Sequence, residues 1–321
     1  MSARDLTPEE LRRWPLPKIA VATDKEIRGR VLVVGGGAQV AGAVLLTGTA
    51  ALRTGAGKLQ IAAPASCAIQ LAVSMPEARV FGLPETADSE LAPAAADLLV
   101  KAVGRSDAIV IGPGLLDDAS AGELAMRLLR GDGPPIVIDA AAMPAFVRAP
   151  DRATSVRGRL VLTPHAGEMA GLAGVTKAEI EADPLTAARI VAAEVQGVVA
   201  LKGAETFIVS PDGQAWRYVS SCPGLATSGS GDVLSGIIGG LLARGASPLQ
   251  AASWGVFVHG ACGLRLAERI APVGFLAREL LNEIPQALCG LHAEHPQVRG
   301  PRISEARRRG GPNASRCVEG T

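Results

Sequence analysis

The amino-acid sequence predicts an α/β protein built on a single doubly wound, mostly parallel sheet with helices on both faces. Three observations carry that expectation. Nearly continuous Val- and Ile-rich runs recur along the chain, the pattern of strands buried on both faces. Helix-compatible stretches lie between them, as they do where parallel strands are joined by crossovers. No linker of domain-separating composition interrupts residues 25–290.

Taken in order, "RVLVVGG" at 30–36 is the first strand run and is followed by a helix over 43–54. "KLQIAA" at 58–63 and "DAIVIGPG" at 107–114 come next, with a helix at 120–130. "PIVIDA" at 135–140, "RLVLTP" at 159–164 and "VVALKG" at 198–203 complete the series, with a helix at 184–195 before the last. From Asp232 to about Cys289 the chain reads as three successive helices. The expected organisation is an N-terminal segment (1–24), one domain (25–290) and a basic tail (291–321). Pro, Gly, Ser and Arg dominate that tail, Arg307, Arg308 and Arg309 included, so it is expected to be disordered and solvated.

Composition narrows the function classes. Aromatic residues make up 3% of the 321 residues against 48% hydrophobic, so Ala, Val, Leu, Ile and close glycine contacts must fill the core. Base-stacking platforms, which need exposed rings, are disfavoured. A net charge of +1, from 32 basic and 31 acidic residues, gives no global field for nucleic acid or an anionic membrane. Between Glu26 and Glu77 there is no carboxylate, while Arg28, Arg30, Arg53 and Lys58 fall inside that span. It reads either as a wall for an anionic ligand or as buried sheet and helix.

Five cysteines, Cys67, Cys222, Cys262, Cys289 and Cys317, are widely spaced and never form CxxC. Neither a disulfide framework nor a zinc site is suggested, and a reducing cytoplasm fits. The charged start lacks the apolar stretch of a signal peptide. Residues 31–52 carry no charge and have the length of a membrane span, but Gly35, Gly36, Gly37, Gln39, Thr47 and Thr49 favour a strand, a loop and a small-residue helix.

Several familiar motifs fail. In "VVGGGAQVAGA", Gly35 and Gly37 fit a dinucleotide fingerprint, but Val40 stands where the third Gly belongs and no acid follows until Glu77. "RTGAGKLQ" misses a phosphate-binding P-loop at Leu52 and Leu59. No GxSxG elbow occurs, and His165, His259, His292 and His295 show no zinc spacing. His165, in "TPHAGE" at a strand end where α/β sheets place ligands, is open to a structural or a binding role.

What remains is "SGSGD" at 228–232. Gly229, Ser230 and Gly231 can turn successive N–H groups into one cavity, and the helix that follows adds its positive end, an arrangement suited to phosphate. Asp232 beside a phosphate is repulsive as a mere binding group and sensible as the acceptor of a proton from an attacking hydroxyl. It is equally open to a capping role, in which the carboxylate accepts backbone hydrogen bonds.

Several segments taken together carry a resemblance. "TSGSGDVLSGIIGGLLARG" resembles the C-terminal signature of ribokinase-like proteins. "IVIGPGL" (109–115), "LTPHAGEMAGLAG" (162–174), "VVALKGAETFIVSPDG" (198–213) and "VFVHGACG" (256–263) look like the ADP-dependent NAD(P)H-hydrate dehydratases of that superfamily, in order from about residue 20 to 290. The resemblance implies a repair enzyme for NADH and NADPH whose nicotinamide ring has taken up water (NADHX and NADPHX). ADP, or ATP in some members, would activate the ring hydroxyl with Mg²⁺ present. Lys202, Gly203, Ala204, Glu205, Thr206 and Gly231 would hold the nucleotide, and Ala43, Gly114, His165 and Asp232 would line the hydrate site. Glu168 is implied as an indirect Mg²⁺ partner, and Asp232 as the base. The resemblance also implies a tetramer acting with a separate hydrate epimerase.

This chain departs from the family pattern at "VAGA" (40–43), where Met-Pro-Gly-Ala is usual, and at Ala141, where a second acid is usual. "EIRG" replaces an expected His-Lys-Gly, and Ser228 a Gly. Two alternatives stay open at this point: a ribokinase-like kinase of a hydroxymethyl or hydroxyethyl vitamin precursor, and a catalytically silent nucleotide-binding protein.

Overall fold

The computed structural model describes residues 2–19, 24–129, 132–145 and 156–291, so the expected basic tail, apart from Leu291 at the end of the last helix, lies outside the described residues. The first half of the chain supplies β1 (Arg4–Asp5), α1 (Pro8–Arg13), β2 (Arg30–Val34), α2 (Gly42–Arg53), β3 (Lys58–Pro64), α3 (Ala65–Ser74) and β4 (Ala78–Leu83). It continues with α4 (Ala95–Val103), β5 (Ala108–Ile111), α5 (Asp118–Leu128) and β6 (Ile136–Ile138). The second half supplies β7 (Leu160–Leu162), α6 (Ala166–Ala173), α7 (Lys177–Ala182), α8 (Pro184–Val195), β8 (Val198–Leu201), β9 (Glu205–Val209) and β10 (Ala215–Val219). Three helices close the described chain: α9 (Ser230–Ala243), α10 (Pro248–Arg269) and α11 (Ala277–Leu291).

These strands form a ten-stranded sheet in the order β1-β10-β9-β8-β7-β6-β5-β2-β3-β4. All pairings from β4 through β8 are parallel, and β9 and β10 are antiparallel additions. The chain runs outward from β2 to β4 and then returns to β5 on the other side of β2, so the order reverses between β2 and β5. Doubly wound sheets place ligands beyond the strand C-termini at such a reversal. The expected fold is therefore the observed one.

Successive strand residues point to opposite faces. Val31 and Val33 join one core with α2, α9, α10 and α11, while Leu32 and Val34 join the other with α4, α5, α6 and α8. In the first core the glycine spacing of α9 lets helices touch backbone to backbone: a Cβ on Gly236 would lie 2.2 Å from the Thr47 carbonyl oxygen of α2. Small residues thus do the packing that the scarcity of aromatics demands.

The N-terminal segment is docked on the sheet edge. β1 pairs in parallel with β10, and Trp14 stacks on Trp216 with ring centroids 5.9 Å apart. The carbonyl of Trp14 accepts from Trp254 Nε1 at 2.9 Å, which ties the segment to α10. The acid-free basic span also finds a structural use. Arg30 and Lys58 begin β2 and β3, at the end of the sheet away from the strand C-termini, and both engage Glu26. Arg53 reaches Asn282 on α11 at 3.4 Å. Among the described residues, no helix is long and apolar enough to cross a membrane.

Candidate active site

The start of α9 organises the site. Gly229 is its N-cap at φ +86°, a left-handed conformation that suits glycine, and a Cβ there would come within 2.6 Å of Leu46 on α2. No side-chain cap bond closes this end; the Ser230 N–H donates to the Thr227 carbonyl at 3.2 Å, and the turn carries the positive end of the helix dipole. The carbonyl of Asp232, in the first turn, accepts from Thr47 Oγ1 at 3.1 Å and from Ser235 Oγ at 3.0 Å. Those bonds fix the turn against α2. The Asp232 carboxylate takes no part in capping. Burial, joined by the negative charge of Asp139 and opposed by Lys202, pushes its pKa up to about 7. A group so tuned can take up a proton near neutral pH.

Across from that turn, the ends of β6, β7 and β8 converge. Asp139 is buried, and its Oδ1 accepts from Thr163 Oγ1 at 2.8 Å and from Lys202 Nζ at 3.4 Å. Lys202 Nζ also lies 3.8 Å from Glu168 Oε2. Burial works against the lysine charge, but Asp139 and Glu168 outweigh it and its pKa stands above the ordinary value. The chain direction here is held by the Lys202 N–H, which donates to the Pro164 carbonyl at 2.7 Å.

His165 and Glu168 form a capping box on α6. The Glu168 N–H donates to His165 Nδ1 at 3.0 Å, and the His165 N–H donates to Glu168 Oε2 at 2.8 Å. The spacing of "HAGE" follows the capping-box rule with His in the place of Ser or Thr.

A cavity of about 760 Å³ opens between the β9–β10 hairpin, α9 and α10. Its polar end is formed by His165, Lys202, Gly203, Ser230 and Gly231, and its apolar walls include Tyr218, Leu225, Leu234 and Val256. Tyr218 packs edge-on against Phe257 at 5.5 Å, and burial pushes its phenol up to about 12. His259, from the middle of α10, meets Ser230 Oγ at 3.0 Å through Nε2. The space and its polarity suit a ligand with a flat apolar part and an anionic end.

On the α2 side of the same turn, Ala43 and Gly114 pack together beneath the first glycine loop. Gly114 has φ +73°, and a Cβ on it would lie 3.1 Å from that of Ala43 and 2.5 Å from the Val40 carbonyl oxygen. Glu90 is buried nearby and accepts from the Leu116 N–H at 3.2 Å, while burial pushes its pKa up.

The structure thus brings His165, Lys202, Gly203, Ala204, Thr206, Ser230 and Gly231 to one cavity, with Glu168 one side chain away. Ala43 and Gly114 form a separate group across α9, outside that cavity lining. The Glu205 carboxylate instead lies 3.6 Å from Arg217 and is absent from the cavity lining. Asp139, Thr163, Glu90 and His259 were not singled out from the sequence as site residues. The "IVIDA" strand end marks Asp139, and His259 falls within the "VFVHGACG" segment, where no site role was read for it. Ala141, where a second acid was expected, lies in a short 3₁₀ turn over Ala140–Ala142.

No group of three or more His, Cys, Asp and Glu side chains that could hold a metal occurs among the described residues. Asp139 and Glu168 already share Lys202. Such a donor set suits Mg²⁺ that arrives on nucleotide phosphates, since that ion binds through one or two carboxylates plus phosphate oxygens and water.

Comparison with known proteins identifies the family. The family model for NAD(P)H-hydrate dehydratase matches residues 31–286. An ADP-dependent (S)-NAD(P)H-hydrate dehydratase of Xanthomonas campestris pv. campestris is 49% identical over 286 residues, covering 89% of this chain and 96% of that protein. The bifunctional NAD(P)H-hydrate repair enzyme Nnr of Moorella thermoacetica is 41% identical over 88% of this chain, which spans 53% of that relative's length. Among solved structures, the ADP/ATP-dependent NAD(P)H-hydrate dehydratase of Bacillus subtilis, co-crystallised with ATP and Mg²⁺, superimposes with a TM-score of 0.77. It is 30% identical, and the match covers 91% of this chain and all of that one. With the family match spanning β2 to α11 and the site residues lying on those same elements, this chain belongs to the NAD(P)H-hydrate dehydratase family.

Proposed function

We propose that the protein uses ADP to dehydrate NADHX and NADPHX, restoring NADH and NADPH. The observation that carries this reading is the placement of Asp232, a carboxylate poised near neutrality at the mouth of an anion-binding helix start. On one side lies a nucleotide-sized cavity and on the other the Ala43–Gly114 surface.

In this reading the apolar walls take the adenosine part of ADP, and Lys202, the main chain of Gly203 to Thr206 and the amides from Gly229 to Gly231 meet its phosphates. Glu205 contributes through its backbone, because its side chain is turned to Arg217. The hydrated nicotinamide ring lies toward Ala43, Gly114 and Asp232, with His165 at the cavity rim. Asp232 takes the proton of the ring hydroxyl while that oxygen bonds to the terminal phosphorus of ADP and AMP departs. The ring nitrogen then donates its lone pair, the C–O bond breaks, phosphate leaves, and loss of a proton from the adjacent carbon restores the double bond. One ADP becomes AMP and phosphate for each cofactor repaired. Asp139 and Glu168 would hold a Mg²⁺ that arrives on the nucleotide, and the ion would supply charge neutralisation on the phosphoryl oxygens.

The remaining parts of the reading are coarser. We place the protein in the cytoplasm, which the free Cys67, Cys222, Cys262 and Cys289 support. A homotetramer stands on the family resemblance, with exposed Ile69 and Val73 on α3 as a surface for self-association, and a separate epimerase is supported by the two-activity relatives. Sedimentation of the purified chain tests the tetramer.

The activity is tested by incubating the protein with NADHX, ADP and Mg²⁺. Recovery of dihydronicotinamide absorbance with matching AMP and phosphate is expected. A stable phosphorylated product would instead support a kinase, and no turnover with either ADP or ATP would overturn the enzymatic reading.

A further inference from the structure

His259 has no part in the chemistry above, yet its ring meets the residue that opens the anion site. Ser230 is buried, lines the cavity and is contacted by His259 Nε2 at 3.0 Å. Burial is the main cause that holds the His259 pKa down, at about 4, so the ring is neutral under ordinary conditions. A neutral imidazole has one donor nitrogen and one acceptor nitrogen.

The two tautomers leave Ser230 in opposite states. If Nε2 accepts, the Ser230 proton is used up on the ring and only oxygen lone pairs face the cavity. If Nε2 donates, a Ser230 lone pair is occupied and the O–H is free to turn outward. The surroundings choose between them. The uncapped amides of α9 and the Lys202 ammonium, 3.4 Å from where a Cβ on Gly231 would sit, make this end of the cavity a collection of donors. The Asp139 and Asp232 carboxylates also lie close by, so a hydroxyl presenting lone pairs there would add to the repulsion an anion already meets, whereas an outward O–H joins the donors.

We propose that His259 is a positioning residue whose Nε2–H donates to Ser230 Oγ and so aims the Ser230 O–H at a phosphate oxygen of the bound nucleotide. The proposal rests on the reading of the cavity as a nucleotide site. It adds a side-chain donor to the backbone amides and makes its orientation depend on a residue 29 positions away.

ADP titration calorimetry on the full chain tests it, with His259→Leu, His259→Gln, Ser230→Ala and the His259→Leu/Ser230→Ala double variant. His259→Leu and Ser230→Ala are each expected to weaken ADP by about tenfold, the scale of one hydrogen bond to a charged group. The double variant loses no more than either single one, because both remove the same donor. His259→Gln, whose amide N–H can reach the same oxygen, recovers most of the loss. Unchanged affinity in Ser230→Ala, or losses that add in the double variant, overturns the proposal. Should His259→Leu fail to fold, Ser230→Ala and His259→Gln still decide it, the first by its loss and the second by near-native binding. Failure of the wild-type protein to bind ADP strikes the nucleotide reading itself, a result distinguishable from failure of the pair.

Discussion

The two sides of the first turn of α9 are built on different principles. Toward β8, β9 and β10 the site is a network of polar side chains: Thr163 and Lys202 on Asp139, Glu168 beside Lys202, His259 on Ser230. Toward α2 it is mostly close backbone contact, with Gly114 lodged against Val40 and Ala43. A polar network declares its ligand's charge, whereas a glycine surface declares only a shape. Asp232 belongs to both, held by Thr47 of α2 through its carbonyl and tuned by Asp139 and Lys202 through its carboxylate.

The largest expected effect falls on that shared residue. Asp232→Asn should lower kcat by about a hundredfold or more, the range of general-base contributions, while calorimetry shows ADP binding retained. In the wild-type protein, kcat/KM for the hydrate should rise with pH through about 7 as the carboxylate ionises. Stability should move the opposite way. The folded state holds the Asp232 proton more tightly than the unfolded chain, so charging it costs stability increasingly from about pH 4 to about pH 7. Asp232→Asn should therefore raise the thermal midpoint more at pH 8 than at pH 5, and an equal shift at both would contradict the tuning.

Next in size is a substitution confined to the polar side. Lys202→Met should weaken ADP by roughly tenfold to a hundredfold, as loss of a charge-assisted contact does, with little change in KM for the hydrate. Its counterpart on the other side is Gly114→Ala, strained at φ +73° and crowded against Val40. That variant should raise KM for the hydrate several-fold and destabilise the fold by about 2 kcal/mol or more, leaving ADP affinity alone. If either variant shifts both ligands equally, the division into two sides fails. The smallest effect is expected at Glu205. Glu205→Ala should leave ADP affinity within about twofold, since its carboxylate forms an exposed pair with Arg217.

The same contrast explains what was legible in the sequence. Six strands, β2, β3, β5, β6, β7 and β8, lie where nearly continuous apolar runs predict them, because burial on both faces leaves few polar interruptions, Gln60 in β3 being one. β4, β9 and β10 lie toward the edges and mix polar with apolar residues, and β1 has only two residues, so none stands out by pattern. In the site, a contiguous motif such as "SGSGD" places Asp232 and Ser230, and "KGAET" places Lys202. Glu205 belongs to the same motif, yet the β9–β10 register puts it opposite Val219 and beside Arg217, which a motif cannot show. Asp139 and His259 reach the site through sheet order and helix packing, and their partners are 63 and 29 residues away.

The most direct test of the account is a crystal of the Asp232→Asn protein soaked with ADP and NADHX. The account predicts adenosine between the β9–β10 hairpin and α10, the nicotinamide ring on the Ala43–Gly114 side, and its hydroxyl about 3.5 Å or less from the residue 232 side chain. A nicotinamide ring lodged in the adenosine cavity, or a hydroxyl out of reach of residue 232, would contradict it.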